Sequence, residues 1–553
     1  MTDRLALPIR YRRMVEELLR EHVPDAEVWA YGSRVSGQSH EGSDLDLVVR
    51  GPELKPLGGE LVDLVEAFRE SNIPILVQVH DWARLPESFH REIERNYAAL
   101  DSGTSSSVEY DWHEVPFDQA VQINPSVRLD RGNEYPFVGM AEVDVGSRSV
   151  FSTESRTYKG GGSRFVSGDT LMARITPCLE HGKIARFCPQ GSSEVGHGST
   201  EFIVIRGRPD VTDNEFAYYL TQWQEVRDYA IGQMTGTSGR QRVPVNSFGH
   251  FLVNVPPIPE QRHIARVLGT LDDKIELTRR MNETLEAMAQ ALFKSWFVDF
   301  NPVRAKLEGR WRCGESFPGL PAEHYDLFPD RMVDSELGEI PEGWSVKALG
   351  DELKDLVSGS RPRGGAVDTG TPSIGAENVA GLGNHDFSKE KYVPGDFFEK
   401  LVSKGAAVRN GDVLLYKDGA RLGRKTYLDC GFPYTKCAIN EHVFVLRMLK
   451  EHAQKYLFFW LDQAWMTREI ADLNSNSAQP GINKSGVRGL PILIPRADVL
   501  AAFDSIAGCW TNELFANCHE NRTLTALRDS LLPKLVSGEI RISVAQQAVD
   551  SVN

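Results

Sequence analysis

The chain has 553 residues, with 62 Lys and Arg against 77 Asp and Glu, a formal net charge of −15. At 41% hydrophobic and 25% charged it is composed like a globular protein, which excludes a disordered or fibrous chain. No run approaches the ~18 apolar residues of a membrane-spanning helix. The size predicts about three or four domains, and a start without an apolar core predicts a cytoplasmic location. Residues 1–105 hold 12 Lys and Arg against 19 Asp and Glu, and the remainder is acidic too. Any nucleic-acid surface must therefore be a local cluster of Arg and Lys. Cysteines 178, 188, 313, 430, 437, 509 and 518 have no CxxC spacing. They predict neither disulfides nor a zinc site and read as small buried hydrophobes.

Residues 1–102 open with a predicted helix over 10–21, then a β-run into Ala30-Tyr31-Gly32-Ser33-Arg34. In Gly42-Ser43-Asp44-Leu45-Asp46-Leu47-Val48-Val49 the alternation suits a strand that projects Asp44 and Asp46 from one face. Two adjacent carboxylates are costly unless a cation bridges them, which suits Mg²⁺ beside substrate phosphates. Gly32-Ser33 can bring backbone N–H groups to a phosphate. These residues resemble a minimal nucleotidyltransferase of the polymerase-β-like superfamily. The resemblance implies a nucleotide held at Gly32, Ser33 and Arg34, metal at Asp44 and Asp46, and a nucleoside triphosphate with Mg²⁺ as cofactors of this domain. The family's third carboxylate belongs in a Val-Asp-Val context, where this chain has Val77-Gln78-Val79-His80-Asp81. Gln78 neither takes a proton nor neutralises a second cation. Asp81 would point elsewhere on a strand unless a local bend brought it round. The expectation is an impaired, nucleotide-binding or docking domain. A Mg²⁺-dependent transferase acting on protein or RNA, and an antitoxin-like scaffold, stand as alternatives.

After a short linker, 103–107, segments recur in order. Asp111-Trp112 matches Gly343-Trp344 at an offset of 232, and Val138-Gly139-Met140-Ala141-Glu142 matches Ile374-Gly375-Ala376-Glu377-Asn378 at 236. Gly168-Asp169-Thr170-Leu171 matches Gly411-Asp412-Val413-Leu414 at 243, and Glu201-Phe202-Ile203-Val204 matches Glu441-His442-Val443-Phe444 at 240. Val255-Pro256 matches Ile494-Pro495, and Asn282-Glu283-Thr284-Leu285 matches Asn521-Arg522-Thr523-Leu524, both at 239. The pattern predicts a duplicated module of mixed α/β type ending in a long helix, not a solenoid, whose period is ~20–50 residues. The first helix starts near Pro259-Glu260-Gln261 and carries an apolar seam at Ile264, Leu268, Leu271, Ile275, Leu285, Leu292 and Trp296. The second repeats it at Phe503, Trp510, Leu514, Leu524, Leu531 and Leu535. Polar Asn282, Asn517 and Asn521 in the seams would fix the register of an antiparallel coiled coil.

Three segments, 256–276, 292–306 and 327–349, resemble the specificity subunit of type I restriction–modification systems, and the likeness covers residues about 108 to 541. It implies a non-catalytic, cofactor-free DNA reader. Two target-recognition domains would read the halves of a split, asymmetric site on double-stranded DNA. The helices would set the spacer and dock two methyltransferase subunits, with restriction (helicase-nuclease) subunits joining. The expected multidomain α+β order is a nucleotidyltransferase-like domain (1–102), linker (103–107), target-recognition domain (108–255), central helix (256–300), linker (301–340), second target-recognition domain (341–494), distal helix (495–540) and tail (541–553). Candidate DNA-contacting residues lie on glycine-rich loops: Ser238, Arg240, Gln241 and Arg242 in the first module, and Arg361, Arg363, Lys417, Arg421, Arg424, Lys425 and Lys484 in the second.

Overall fold

The structure, a computed structural model, describes residues 5, 7, 9–36, 43–100, 112–191, 193–237, 239–375, 377–474 and 481–550. The linker expected at 103–107 and the candidate Ser238 lie outside the described residues. The chain forms two compact units, residues 1–274 with 524–553 and residues 275–523.

The first unit begins with a four-stranded sheet in the order Val77–Asp81, Leu45–Arg50, Glu27–Tyr31, Ala98–Leu100. Leu45–Arg50 runs antiparallel to Glu27–Tyr31 and parallel to Val77–Asp81. Period-two alternation sends Leu45, Leu47 and Val49 into a core with Val15 and Leu19 of helix Ile9–His22 and Leu64 and Phe68 of helix Gly59–Glu70. The opposite face buries Trp29, Val48, Trp82 and Ile93 and carries Asp46.

The two repeats share one plan. In the first, strands Val121–Ile123, Phe202–Gly207, Thr170–Ala173 and Ile184–Phe187 lie in that order, with Ser149–Val150 added at the edge. In the second, Leu353–Ser358, Val443–Met448, Asp412–Tyr416 and Lys425–Leu428 lie in the same order with the same antiparallel pairing. A second small sheet in each repeat holds one parallel pair, Glu134–Val138 with Val195–Gly198 and Thr371–Ile374 with Ala438–Ile439.

The recurring Gly-Asp segments have a physical reason. Gly168 and Gly411 each turn the chain at φ +84°, a left-handed conformation that side chains disfavour. The following aspartates are buried and each takes a two-pronged ion pair from the strand beside it. Arg206 donates to Asp169 at 2.6 and 2.7 Å, and Arg447 to Asp412 at 2.6 and 2.6 Å. Asn214 and Gln454 occupy matching places and donate to the Gly168 and Gly411 carbonyls.

Each repeat ends in a helix of 40 residues, Ile258–Phe297 and Ala497–Val536, offset by 239 at both ends. In the first unit Arg528 pairs with Asp272 at 2.8 Å. In the second, Asn517 donates to Asn282 Oδ1 at 2.8 Å, Thr278 meets Asn521, and Phe503 packs on Phe293, Trp296 and Phe297. Within that unit, contacts descend the second helix as they ascend the first.

Several expectations need correction. Residues 301–340 are not merely a connector: Val303, Trp311, Leu320, Phe328 and Ile340 are buried in the core of the second unit. The tail forms helix Ile542–Asp550 with Ala545 and Val549 buried, their four-residue spacing placing both on one face. All seven cysteines are free, but Cys437 and Cys518 alone are buried, while Cys313, Cys430 and Cys509 are exposed.

Candidate nucleic-acid interface and nucleotide cradle

On the N-terminal sheet, strand Glu27–Tyr31 runs into Gly32 at φ +80°, and a Cβ there would collide with Asp46 Oδ2. Glycine is thus the residue that lets the loop lie against the carboxylate. Ser33 begins a single helical turn, Ser33–Ser36. Arg34 is buried and donates from Nε and Nη2 to the Ser43 carbonyl at 2.9 and 2.6 Å, tying the loop to the strand that carries Asp46. Burial, then the Asp44 charge, raises the Asp46 carboxyl above its usual range, and His80 acts the other way. Desolvation is the larger part of that cost and repulsion between the two carboxylates the smaller, and a cation at the pair would offset both.

Gln78 faces Asp46 in the parallel register and donates to Asp44 Oδ2 at 3.2 Å. It fills the third-carboxylate place with a neutral amide. Asp81 is not recruited by a bend: it is buried, accepts from the Leu57 and Ala83 backbone N–H groups at 3.0 Å and pairs with Arg84 at 3.2 Å. Among the described residues no group of three His, Cys, Asp or Glu side chains could hold a metal ion. The residues present fit one divalent cation between Asp44 and Asp46. They do not supply the anionic set for two.

In the first module the loop before strand Leu252–Val255 folds back on itself, with Thr235 bridged to Arg242. Arg240 is exposed and Gln241 half-buried. Arg242 donates from Nε and Nη2 to Glu201, at 2.9 Å to Oε2 and 2.7 Å to Oε1. The hydrogen bond from Arg242 holds the Glu201 carboxyl below its usual range.

In the second module Arg361, Arg363, Arg421, Arg424 and Lys484 are exposed and Lys417 is half-buried. Lys425 is different. It is the first residue of strand Lys425–Leu428 and points inward, donating to Thr467 at 2.7 Å and pairing with Asp462 at 3.4 Å. Burial lowers the Lys425 ammonium, and it leaves the set of surface cations. Arg361 stands 4.0 Å from Glu441 at the rim of a cavity of about 190 Å³ that also takes Ser360, Lys391, Asn440 and His442. His442 lies 2.9 Å from Asp418, and Lys391 2.6 Å from Glu377.

Sequence reasoning missed Glu201, Glu441, Lys391 and His442. The repeat match of Glu201 with Glu441 was the available signal, but a search for cations aimed at DNA passes over the acids that hold them.

Two family models match the chain: "Nucleotidyltransferase domain" over residues 12–119 and "Type I restriction modification DNA specificity domain" over residues 129–287. The chain is 27% identical over 377 residues to the type I restriction enzyme HindI specificity subunit of Haemophilus influenzae, covering 62% of this chain and 81% of that protein. It is 27% identical over 341 residues to the MjaIX specificity subunit of Methanocaldococcus jannaschii, covering 60% and 69%. Its N-terminal part is 40% identical over 103 residues to a Haemophilus influenzae protein named "Probable protein adenylyltransferase MntA", covering 18% of this chain and 89% of that one. No helix among the described residues is long and apolar enough to cross a membrane.

Proposed function

Because the chain belongs to the type I restriction–modification specificity-subunit family and carries a nucleotidyltransferase domain at its N-terminus, we propose that its two repeats read the two halves of one split, asymmetric DNA site. DNA sequence specificity is its function. The observation that carries the bipartite reading is the duplication itself, in which sheet order, the buried Asp–Arg pair and a 40-residue helix all recur. Different exposed cations then decorate one skeleton: Arg240 and Arg242 in the first repeat, and Arg361, Arg363, Arg421, Arg424 and Lys484 in the second. Two copies of a scaffold with unlike loops suit two unlike half-sites.

The two long helices pair as an antiparallel coiled coil and set the spacer between the half-sites. The ordered contacts at Thr278, Asn282 and Phe503 support that pairing. A helix of 40 residues is roughly 60 Å long, against ~34–36 Å for one turn of DNA. Two methyltransferase subunits dock on this framework and restriction subunits join them, in the cytoplasm. Co-expression with the methyltransferase subunits followed by genome-wide mapping of methylated bases tests the reading. One split motif with a fixed spacer is expected; methylation without a motif contradicts it.

A nucleoside triphosphate and one divalent cation would be held in this domain, the cation by Asp44 and Asp46 and the phosphates by the Gly32-Ser33 turn. A bound Mg²⁺ would supply charge neutralisation for those phosphates. Gln78 takes no proton from an attacking hydroxyl, so the domain retains nucleotide without transferring it. Mg²⁺-dependent binding of a fluorescent ATP analogue, lost in Asp46→Ala, with no label passed to protein or RNA, is the expected result. Label transfer abolished by Asp44→Ala would establish the transferase instead.

A further inference from the structure

We propose that each repeat reads a guanine through one arginine braced by a glutamate: Arg242 with Glu201 in the first, and Arg361 with Glu441 in the second. The inference rests on the reading that both repeats bind DNA by sequence.

Three observations carry it. The glutamates are structural equivalents, 240 residues apart, each at the entry to the strand that lies second in its sheet. The arginines are not equivalents. Arg242 arrives on the loop before strand Leu252–Val255, whereas Arg361 arrives on the loop after strand Leu353–Ser358. The same acid thus meets an arginine delivered by a different route in each repeat. Common descent accounts for the acids, and a shared task accounts for the arginines.

Exposure is the second observation. The Arg242 side chain is 44% exposed and the Arg361 side chain 68% exposed. Exposed ion pairs add little to stability, so holding the fold is a poor reason for these.

Geometry is the third. Glu201 takes the Nε and Nη2 side of the Arg242 guanidinium. Among the described residues Nη1 meets only the Arg240 carbonyl, at 3.4 Å. The Nη1–Nη2 fork therefore faces away from the brace. In the major groove guanine offers two adjacent acceptors, N7 and O6, which match that fork, while adenine sets a donor beside its N7. The carboxylate fixes the plane of the fork before DNA arrives, so less side-chain freedom is lost on contact. In the second repeat Lys391 and His442 are engaged with Glu377 and Asp418. Glu441 itself lies 3.5 Å from His442 Nε2 and 4.0 Å from Arg361 Nη1, so among the described residues Arg361 is the most loosely held cation at the cavity rim, near Glu441 but not hydrogen-bonded to it. Glu201 and Glu441 are positioning residues.

Selection of bound duplexes from a random pool, with the full chain in complex with its methyltransferase subunits, tests the assignment. The wild type should enrich a guanine in each half-site. Arg242→Ala should relax one position of one half by about 5- to 150-fold and leave the other half unchanged; Arg361→Ala should do the reverse. Arg242→Lys keeps the charge but not the fork, so it should relax the same position while retaining overall affinity. Glu201→Gln should relax that position by a smaller factor, an effect that a merely structural acid would not produce. A uniform loss of affinity with base preference intact would make these arginines phosphate contacts and overturn the proposal. So would a half-site lacking guanine. Enrichment of no motif by the wild type would sink the underlying DNA-reading assignment, and this one with it.

Discussion

The two repeats share a skeleton but seat their helices by opposite chemistry. In the first, the Tyr219 hydroxyl donates to Asp272 at 2.7 Å, and Arg528, from the far end of the second helix, closes on Asp272 at 2.8 Å. Arg148 adds bonds to Asp273 at 2.6 Å and Glu215 at 3.3 Å. Burial, with the Asp272 charge beside it, pushes the Tyr219 phenol well above its usual range. In the second repeat the corresponding places hold Phe459, Thr511 and Ala289, and the joint is a stack of rings: Phe293, Phe297, Tyr456, Phe459 and Phe503. A charged joint demands one register, since any slip leaves a buried charge alone, whereas a ring cluster tolerates small shifts at lower cost. The same duplicated surface thus became a lock in one copy and an oily seat in the other.

The sharpest way to break this contrast is to remove one member of each joint. Phe503→Ala should cost about 3–5 kcal/mol through the cavity it leaves. Asp272→Ala should cost less, about 1–3 kcal/mol, because Arg528 keeps its pair with Asp529 and the buried Tyr219 hydroxyl loses its acceptor. The joints part company when the whole polar set is replaced: Asp272→Leu with Arg528→Met and Tyr219→Phe should recover most of the loss, because a packed apolar cluster replaces the buried ionic one and leaves no hydroxyl without an acceptor. Urea unfolding of each variant measures this, and a triple variant as unstable as the single would refute the charged-lock account.

Acid should act on the second repeat through His385. Burial lowers its pKa to about 4, against about 6.5 in the unfolded chain. Glu390 and Asp386 favour its charged form and Arg522 opposes it. Between those values the unfolded chain binds the extra proton, so stability falls as pH drops from ~6.5 towards ~4, by up to about 3 kcal/mol. His385→Gln should flatten that part of the urea-midpoint profile relative to the wild type. Parallel profiles would contradict the assignment.

The smallest expected effect separates buried from exposed cations. Lys425→Met should leave DNA affinity unchanged, while Arg421→Ala should weaken binding and lower its salt dependence by about one unit in log–log slope. Salt titrations of both variants check this.

These residues also mark what could be read beforehand. The Gly-Asp turns were visible as a repeat because a left-handed turn and a buried charge each admit few residue types. The meeting of Gln78 with Asp44 and Asp46 was legible because strand alternation fixes which residues share a face. Lys425 was not, since Arg424-Lys425 reads as a basic loop until the strand is seen to begin at the lysine. The Asp272–Arg528 joint was hidden because its members lie 256 positions apart, and no local pattern reports a partner at that distance.

The spacer claim is tested most directly by inserting one heptad at equivalent points of both long helices. Seven residues lengthen each helix by ~10 Å, about three base pairs of DNA. Mapping methylation with the lengthened chain should return the same two sequence blocks separated by about three more base pairs. Blocks that change, or a spacer that stays the same, would contradict the account.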